Sequence, residues 1–312
     1  MTLKIATRKV RNTEGKLELE DVVERLRVSR DLSHNIRHGG RVRELPSPGI
    51  MVEVVDGIVT SLFPTHLGPS GLSPGAVDNF VSNTLYTAMA RLTEQVGRGL
   101  QFNAEILSPV EAKRASHQIV RDFADELPAI RATLVSDLKA AYARDPSAGS
   151  LAEVLLCYRS STAIIYHRLA HALHKLGARL VARVISDLAH ATTGIDIHPG
   201  ARIGAGFFID RGTGVVIGET AVIGENVCLH QGVTLGASEF DAEGAPPPAK
   251  GGLRHPVVEN NVVIHSGATV LGRITIGAGS VICGNVWLTR SVPPGSIVTQ
   301  AANMRSDVQV MG

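Results

Sequence analysis

The chain has 312 residues, enough to bury a large core and, by length, to form two domains. Its 31 Lys and Arg against 29 Asp and Glu leave a formal charge of +2, which gives no support to nucleic-acid binding, where a clustered basic face is expected. Cys157, Cys228 and Cys283 are scattered without CxxC spacing, which argues against a disulfide framework or a zinc knuckle and for a reducing, cytoplasmic setting. No uncharged apolar run reaches membrane-spanning length and the opening MTLKIATRKVRN lacks an apolar signal core, so neither a membrane nor secretion is expected.

Residues 1–72 read as an N-terminal arm. Leu17 to Leu32 is charged and amphipathic and suits a helix, while the Val and Ile content of Ile50 to Leu62 predicts a strand or hairpin; Pro46, Pro48, Pro64 and Pro69 punctuate the remainder. A helical domain is expected over 73–192. Ser73-Pro74 is an N-cap followed by proline at the first helical position, opening a helix to about Gly97. Ser108-Pro109-Val110-Glu111 has capping-box spacing and opens a second helix toward Glu126. Pro128 is expected to restart that helix, and Asp145-Pro146 to end it, because a residue before proline leaves helical geometry. Leu151 to Leu176 and Ala178 to Ala191 follow, with Gly177 as the break. His167, His171 and His174 have helical spacings open to a metal; with no carboxylate on the same face, packing or inter-subunit contact is the better account.

From Ile197 to Leu288 an aliphatic residue returns every sixth position. Ile197, Ile203 and Ile209 start the series; Ile217, Ile223, Leu229 and Leu235 resume it after two extra residues, and Val258, Ile264, Val270, Ile276, Ile282 and Leu288 continue it. The fourth residue after the aliphatic is often small or branched, as at Ala201, Thr213, Ala221, Val262, Ala268 and Ser280. A period of six is neither helical nor a simple alternation. It is met by short strands and turns, three sides to a coil, with the aliphatic inside, the small residue closing the corner and stacked coils pairing about 4.8 Å apart. The predicted fold is therefore α+β: an all-helical N-terminal domain, then a β-helix over 193–300 with a Pro- and Gly-rich loop at 237–256, then a tail at 301–312.

The hexapeptide pattern resembles that of the left-handed parallel β-helix acyltransferases. The runs GIDIHPGARIG (194–204), GVVIGETAVIG (214–224), QGVTLG (231–236) and Arg254-His255-Pro256, after Asp145-Pro146, narrow the resemblance to the serine acetyltransferases over roughly residues 75 to 300. That resemblance implies transfer of an acetyl group from acetyl-CoA, as co-substrate and without a metal, to the hydroxyl of L-serine. The product, O-acetyl-L-serine, commits serine to cysteine biosynthesis.

Such chemistry needs a base for the serine proton, donors for the tetrahedral oxyanion, and charges for the amino acid's carboxylate and ammonium. Matched residue by residue, Asp196 is the aspartate that orients the catalytic histidine. Asp145 and its neighbour Pro146, with Asp210, surround the serine ammonium; Arg254 and His255 reach the carboxylate from the loop, a place where binding residues are expected. Acetyl-CoA is expected along the later coils, at Gly236, Ala237, Gly272 and Gly284.

One position departs from the family. Where its members read Ile-Asp-His, this chain reads Ile209-Asp210-Arg211, and arginine stays protonated and cannot be a general base. Four accounts stay open. His230, expected to point outward about one rung above Arg211, or His255 serves as the base instead. Proximity and oxyanion stabilisation alone sustain a slower acetyltransferase. Arg211 pairs with Asp210 and Asp196 in a non-catalytic paralogue that binds serine, cysteine or CoA. Or a different acceptor carries an extra acid. In another class of function, His198, His230 and His265 are the candidate ligands of a zinc-dependent hydratase of the γ-carbonic-anhydrase kind. The family also implies a homotrimer or hexamer with sites between subunits, and feedback inhibition by cysteine. It further implies a sulfhydrylase complex that depends on a C-terminal isoleucine, not expected for a chain ending Val310-Met311-Gly312.

Overall fold

The computed structural model describes residues 19–33, 37–38, 41–42, 44–103, 108–238 and 251–300. The chain divides into two units, 1–44 and 45–312. In the first, α1 (Leu19–Ser33) is the helix expected near Leu17 to Leu32, and β1 (Arg37–His38) pairs antiparallel with β2 (Arg41–Val42).

The second unit begins with a helix where a strand was expected. α2 spans Pro48–Leu62, capped by the Ser47 side chain and with proline at its start. Its apolar residues are spaced for a helix: Met51, Val54, Val55, Ile58 and Leu62 share one buried face. Local β propensity is outweighed by that burial. Residues 45–72 are accordingly no separate arm, because α2 packs on α4 (Pro74–Asn103) and α8 (Arg179–Thr193), and α3 (Pro64–Leu67) on α4. α5 (Pro109–Arg144) opens on the expected capping box, Ser108 and Glu111 each accepting from the other's backbone N–H. It runs through Pro128 without restarting, and Pro128 itself lies on an exposed face of the helix. α6 (Leu151–Cys157) and α7 (Arg159–Lys175) divide at Tyr158, and Gly177, at φ 96°, separates α7 from α8.

Three parallel sheets then close a triangular β-helix. The first face is β3 (Asp196–Ile197), β6 (Val216–Ile217), β9 (Thr234–Gly236), β12 (Thr269–Leu271) and β15 (Trp287–Leu288). The second is β4 (Arg202–Ile203), β7 (Val222–Ile223), β10 (Val257–Val258) and β13 (Thr275–Ile276). The third is β5 (Phe208–Asp210), β8 (Cys228–His230), β11 (Val263–Ile264), β14 (Val281–Ile282) and β16 (Ile297–Val298). The aliphatic series pairs in register, Ile197 with Ile217 and Leu235, Ile209 with Leu229, Ile264 and Ile282. Twelve of its thirteen members are buried and Ile203 is half-buried. The corner residues Ala201, Ala221, Val262, Ala268 and Ser280 are buried as the small-residue positions require; Thr213 is exposed, at the corner widened by two residues.

A buried ion pair joins helices to β-helix. Arg168 of α7 donates to both carboxylate oxygens of Asp137 on α5 at 3.1 Å, and to the carbonyls of Ile203 and Gly204. Asp137 also accepts from the Phe207 N–H at 2.9 Å, so the first coil is tied to both helices. Among the described residues, no helix is long and apolar enough to cross a membrane.

Candidate active site

Two polar clusters form, at opposite corners of the first face. At the corner leaving the third face, Asp210 ends β5 and Arg211 follows at φ 61°. The other non-glycine residues with positive φ among those described are asparagines, Asn226, Asn261 and Asn285, for which this conformation is cheap. The strand register places His230 above Asp210, one residue away from the expected position over Arg211. It points outward as expected, with Nδ1 3.1 Å from Asp210 Oδ2, and its ring stacks on His265 of the next coil at 4.8 Å between centroids and 24° between planes. Burial, reinforced by His265, outweighs the pull of Asp210 and holds the His230 pKa below its ordinary 6.5. At neutral pH the Asp210–His230 contact is therefore one between a neutral imidazole and a carboxylate group, 3.1 Å apart.

Asp145 borders this cluster from the end of α5, where Pro146 stops the helix. Its Oδ1 accepts from the Ser147 N–H and hydroxyl at 2.8 and 2.6 Å, and its Oδ2 from the Tyr158 hydroxyl at 2.6 Å. These bonds, with a smaller contribution from the Arg211 charge, hold its carboxyl below the ordinary value.

At the opposite corner, between first and second faces, GVVIGETAVIG meets Arg254-His255-Pro256. Thr220 organises the junction: its Oγ1 accepts from the backbone N–H of Arg254 at 3.0 Å and of His255 at 3.1 Å. Its own N–H donates to His255 Nδ1 at 3.1 Å. The Arg254 guanidinium pairs with Glu219 at 2.6 Å, and Arg273 donates to the carbonyls of Thr220 and His255, both at 2.9 Å. The His255 ring lies over Gly218, where an added Cβ would overlap it. Burial, then the Arg254 charge, brings His255 to a pKa of about 4. The six-residue period marks Gly218 only as a glycine after the repeating aliphatic, and the GVVIGETAVIG run holds Glu219 and Thr220 without a role for either; only the fold shows these residues and Arg273 gripping the loop.

The remaining expected site residues divide. Asp196 lies on the first face beneath Val216, on the sheet that separates the two corners. Gly236 and Gly272 are brought together on neighbouring coils, with the Gly272 N–H donating to the Gly236 carbonyl at 3.0 Å, and Ala237 follows directly. Gly284 does not join them: it lies at the opposite corner, against the Ser266 carbonyl. Residues 239–250 of the loop and the 301–312 tail lie outside the described residues.

The histidines considered for a metal are dispersed in the chain. His198 accepts from the Gly200 N–H at 2.9 Å and meets His174 edge-on at 6.0 Å, whereas His230 and His265 stack at the other corner. Among the described residues, no three His, Cys, Asp or Glu side chains converge as ligands. The α7 histidines pack against the first coil: His171 Nδ1 lies 2.8 Å from the Pro199 carbonyl, and His167 is buried, neither ring nitrogen having a hydrogen-bond partner.

No protein-family model matches the chain. It is 49% identical over 269 residues to the plasmid serine acetyltransferase of Synechococcus elongatus, covering 84% of each chain. It is 48% identical over 162 residues to the serine acetyltransferase of Mycobacterium tuberculosis, over 52% of this chain and 67% of that one. Among solved structures, Entamoeba histolytica serine acetyltransferase 1 in complex with L-cysteine superposes with a TM-score of 0.70 at 33% identity, covering 89% of this chain and 97% of that one. The Neisseria gonorrhoeae serine acetyltransferase in complex with serine superposes with a TM-score of 0.52 at 29% identity, over 80% and 94%. Likeness of sequence across most of both chains, and of a helical region followed by a left-handed β-helix, places this chain in the serine acetyltransferase family.

Proposed function

We propose that the protein transfers an acetyl group from acetyl-CoA to the hydroxyl of L-serine, giving O-acetyl-L-serine for cysteine biosynthesis. The observation that carries this reading is the pair of complementary corners. One presents carboxylates, Asp145 and Asp210, suited to an ammonium; the other presents the Arg254 guanidinium and the His255 ring, suited to a carboxylate. A free amino acid needs both at once. Solved relatives hold serine or cysteine, which supports the same ligands here, with cysteine as feedback inhibitor.

Because the corners lie at opposite edges of one sheet, a complete site needs the acidic corner of one subunit and the Arg254 corner of another. A homotrimer built on the first face meets that need, and Val216 and Trp287, 38% and 53% exposed on this face, suit burial there. Pairing of two trimers through the helices gives the hexamer. Within the site, His255 acts as a donor to the substrate carboxylate or the developing oxyanion. The pantetheine of acetyl-CoA passes beside Gly236, Ala237 and Gly272, the first and last of which are joined by a backbone hydrogen bond between neighbouring coils.

The test is thiol release from acetyl-CoA by the full chain, with and without L-serine, and mass detection of O-acetylserine. Serine-dependent release at a substantial kcat is expected. Release independent of serine, together with no binding of serine, cysteine or CoA by calorimetry, overturns the reading.

A further inference from the structure

Arg211 occupies the family's base position with a group that keeps its proton at working pH, yet attack by a serine hydroxyl needs a proton acceptor. The hydrogen bonds around the two candidate histidines separate them. At His255, Nδ1 accepts from the Thr220 N–H, so in the neutral ring the proton sits on Nε2. Neither nitrogen then has a free lone pair, and His255 can only donate. His230 is arranged the other way: its Nδ1 sits 3.1 Å from the Asp210 carboxylate, a neighbour that favours the proton on Nδ1 and leaves the Nε2 lone pair for a substrate. The His230 side chain is 22% exposed and that of Asp210 34%, so the pair reaches solvent at the corner where Asp145 waits. Stacking on His265 fixes the ring plane from the next coil.

We propose that His230, oriented by Asp210 and braced by His265, is the general base of the acetyl transfer, one coil away from the position where the family carries it; this rests on the serine acetyltransferase reading above. His230 Nε2 takes the proton of the serine hydroxyl as its oxygen bonds to the thioester carbonyl carbon, and the carbonyl π pair moves to oxygen. Collapse reforms the C=O bond and breaks the C–S bond. The departing CoA sulfur takes the proton back from the imidazolium, leaving O-acetylserine, CoA thiol and neutral His230. Asp210 is a positioning residue for this step: it fixes the tautomer and stabilises the imidazolium without accepting the proton.

The test uses the full chain with L-serine and acetyl-CoA. His230→Ala is expected to lower kcat by roughly 10²- to 10⁴-fold, with serine binding by calorimetry and the unfolding midpoint little changed. The groups facing His230 are Asp210 and His265, and its pKa lies below 6.5. In the unsubstituted chain kcat/KM is therefore expected to rise with pH through one ionisation below 6.5 and level off by neutrality, a limb absent from His230→Ala. Asp210→Asn removes the charge that favours the imidazolium, so its limb moves to lower pH, a shift that loss of packing alone would not produce. An active parent whose His230→Ala variant keeps kcat within about threefold, and keeps the acid limb, overturns the proposal. So does a parent that binds serine and acetyl-CoA but turns over only after Arg211→His, an outcome that leaves the family reading standing. A parent that binds neither ligand overturns both.

Discussion

Gly218 and His255 occupy one volume between them: the ring fills the space a side chain at 218 would take. Gly218 is not among the residues with positive φ, so the constraint on it is steric and not conformational. Gly218→Ala is expected to push the ring off its Thr220 bond and raise KM for serine about tenfold or more. Overpacking costs about 1–3 kcal/mol. Steady-state kinetics and the unfolding midpoint measure both effects; an unchanged KM would show that His255 does not meet the substrate.

Thr220 holds the loop with one oxygen that accepts two backbone N–H groups. Thr220→Val keeps the shape and removes the acceptor, leaving those donors unpaired at about 1–3 kcal/mol. The expected result is weaker serine and cysteine binding by calorimetry, with Thr220→Ser restoring most of it.

Asp137 is buried against Arg168 and 4% exposed, and burial pushes its carboxyl pKa up against the pull of that arginine. Asp137→Ala strands the guanidinium between helix and β-helix, and removing one partner of such a pair costs about 3–5 kcal/mol. Denaturant unfolding is the measurement. The Asp137→Ala, Arg168→Met double variant should lose less than the sum of the single losses, because the stranded charge goes with its partner.

Acid should destabilise the protein through its buried histidines. His198 and His255 fall from 6.5 to about 4 on folding, each mainly through burial, and His167 is pushed well below its ordinary value. Between about 4 and 6.5 the unfolded chain binds more protons than the folded one, so stability is complete above that window and is lost as pH falls through it. Glu219, held down mainly by Arg254, adds its loss at lower pH still. Denaturant midpoints at about pH 5 and pH 7.5 test the sign: the lower-pH midpoint should be the smaller.

The β-helix was legible because one residue in six reports its side of the coil, and Ile197 to Leu288 repeats that report without ambiguity. α2 was misjudged because Val and Ile suit a strand as well as a buried helix face. The distinction lay in Ser47-Pro48 and in the three- and four-residue spacing from Met51 to Leu62. Pro128 misled in the opposite direction, since a long helix held on both sides of a proline by a buried face can run through it, and sequence does not show where that face lies. At the site, motif matching named Asp145, Asp210, Arg254 and His255. It missed Thr220 and Gly218, whose work is done on backbone groups and empty space. The His230–Asp210 contact depended on a register fixed by two inserted residues, and the count was one position out.

In this solenoid Asp210 and His230 are twenty residues apart along the chain and adjacent in space, and His265 is next in the same column. A functional group lost from one storey can therefore be replaced by a substitution directly upstairs, at a sequence distance that no local signature spans. Architecture of this kind stores chemistry in columns, and a chain read only along its length sees the gap without the replacement.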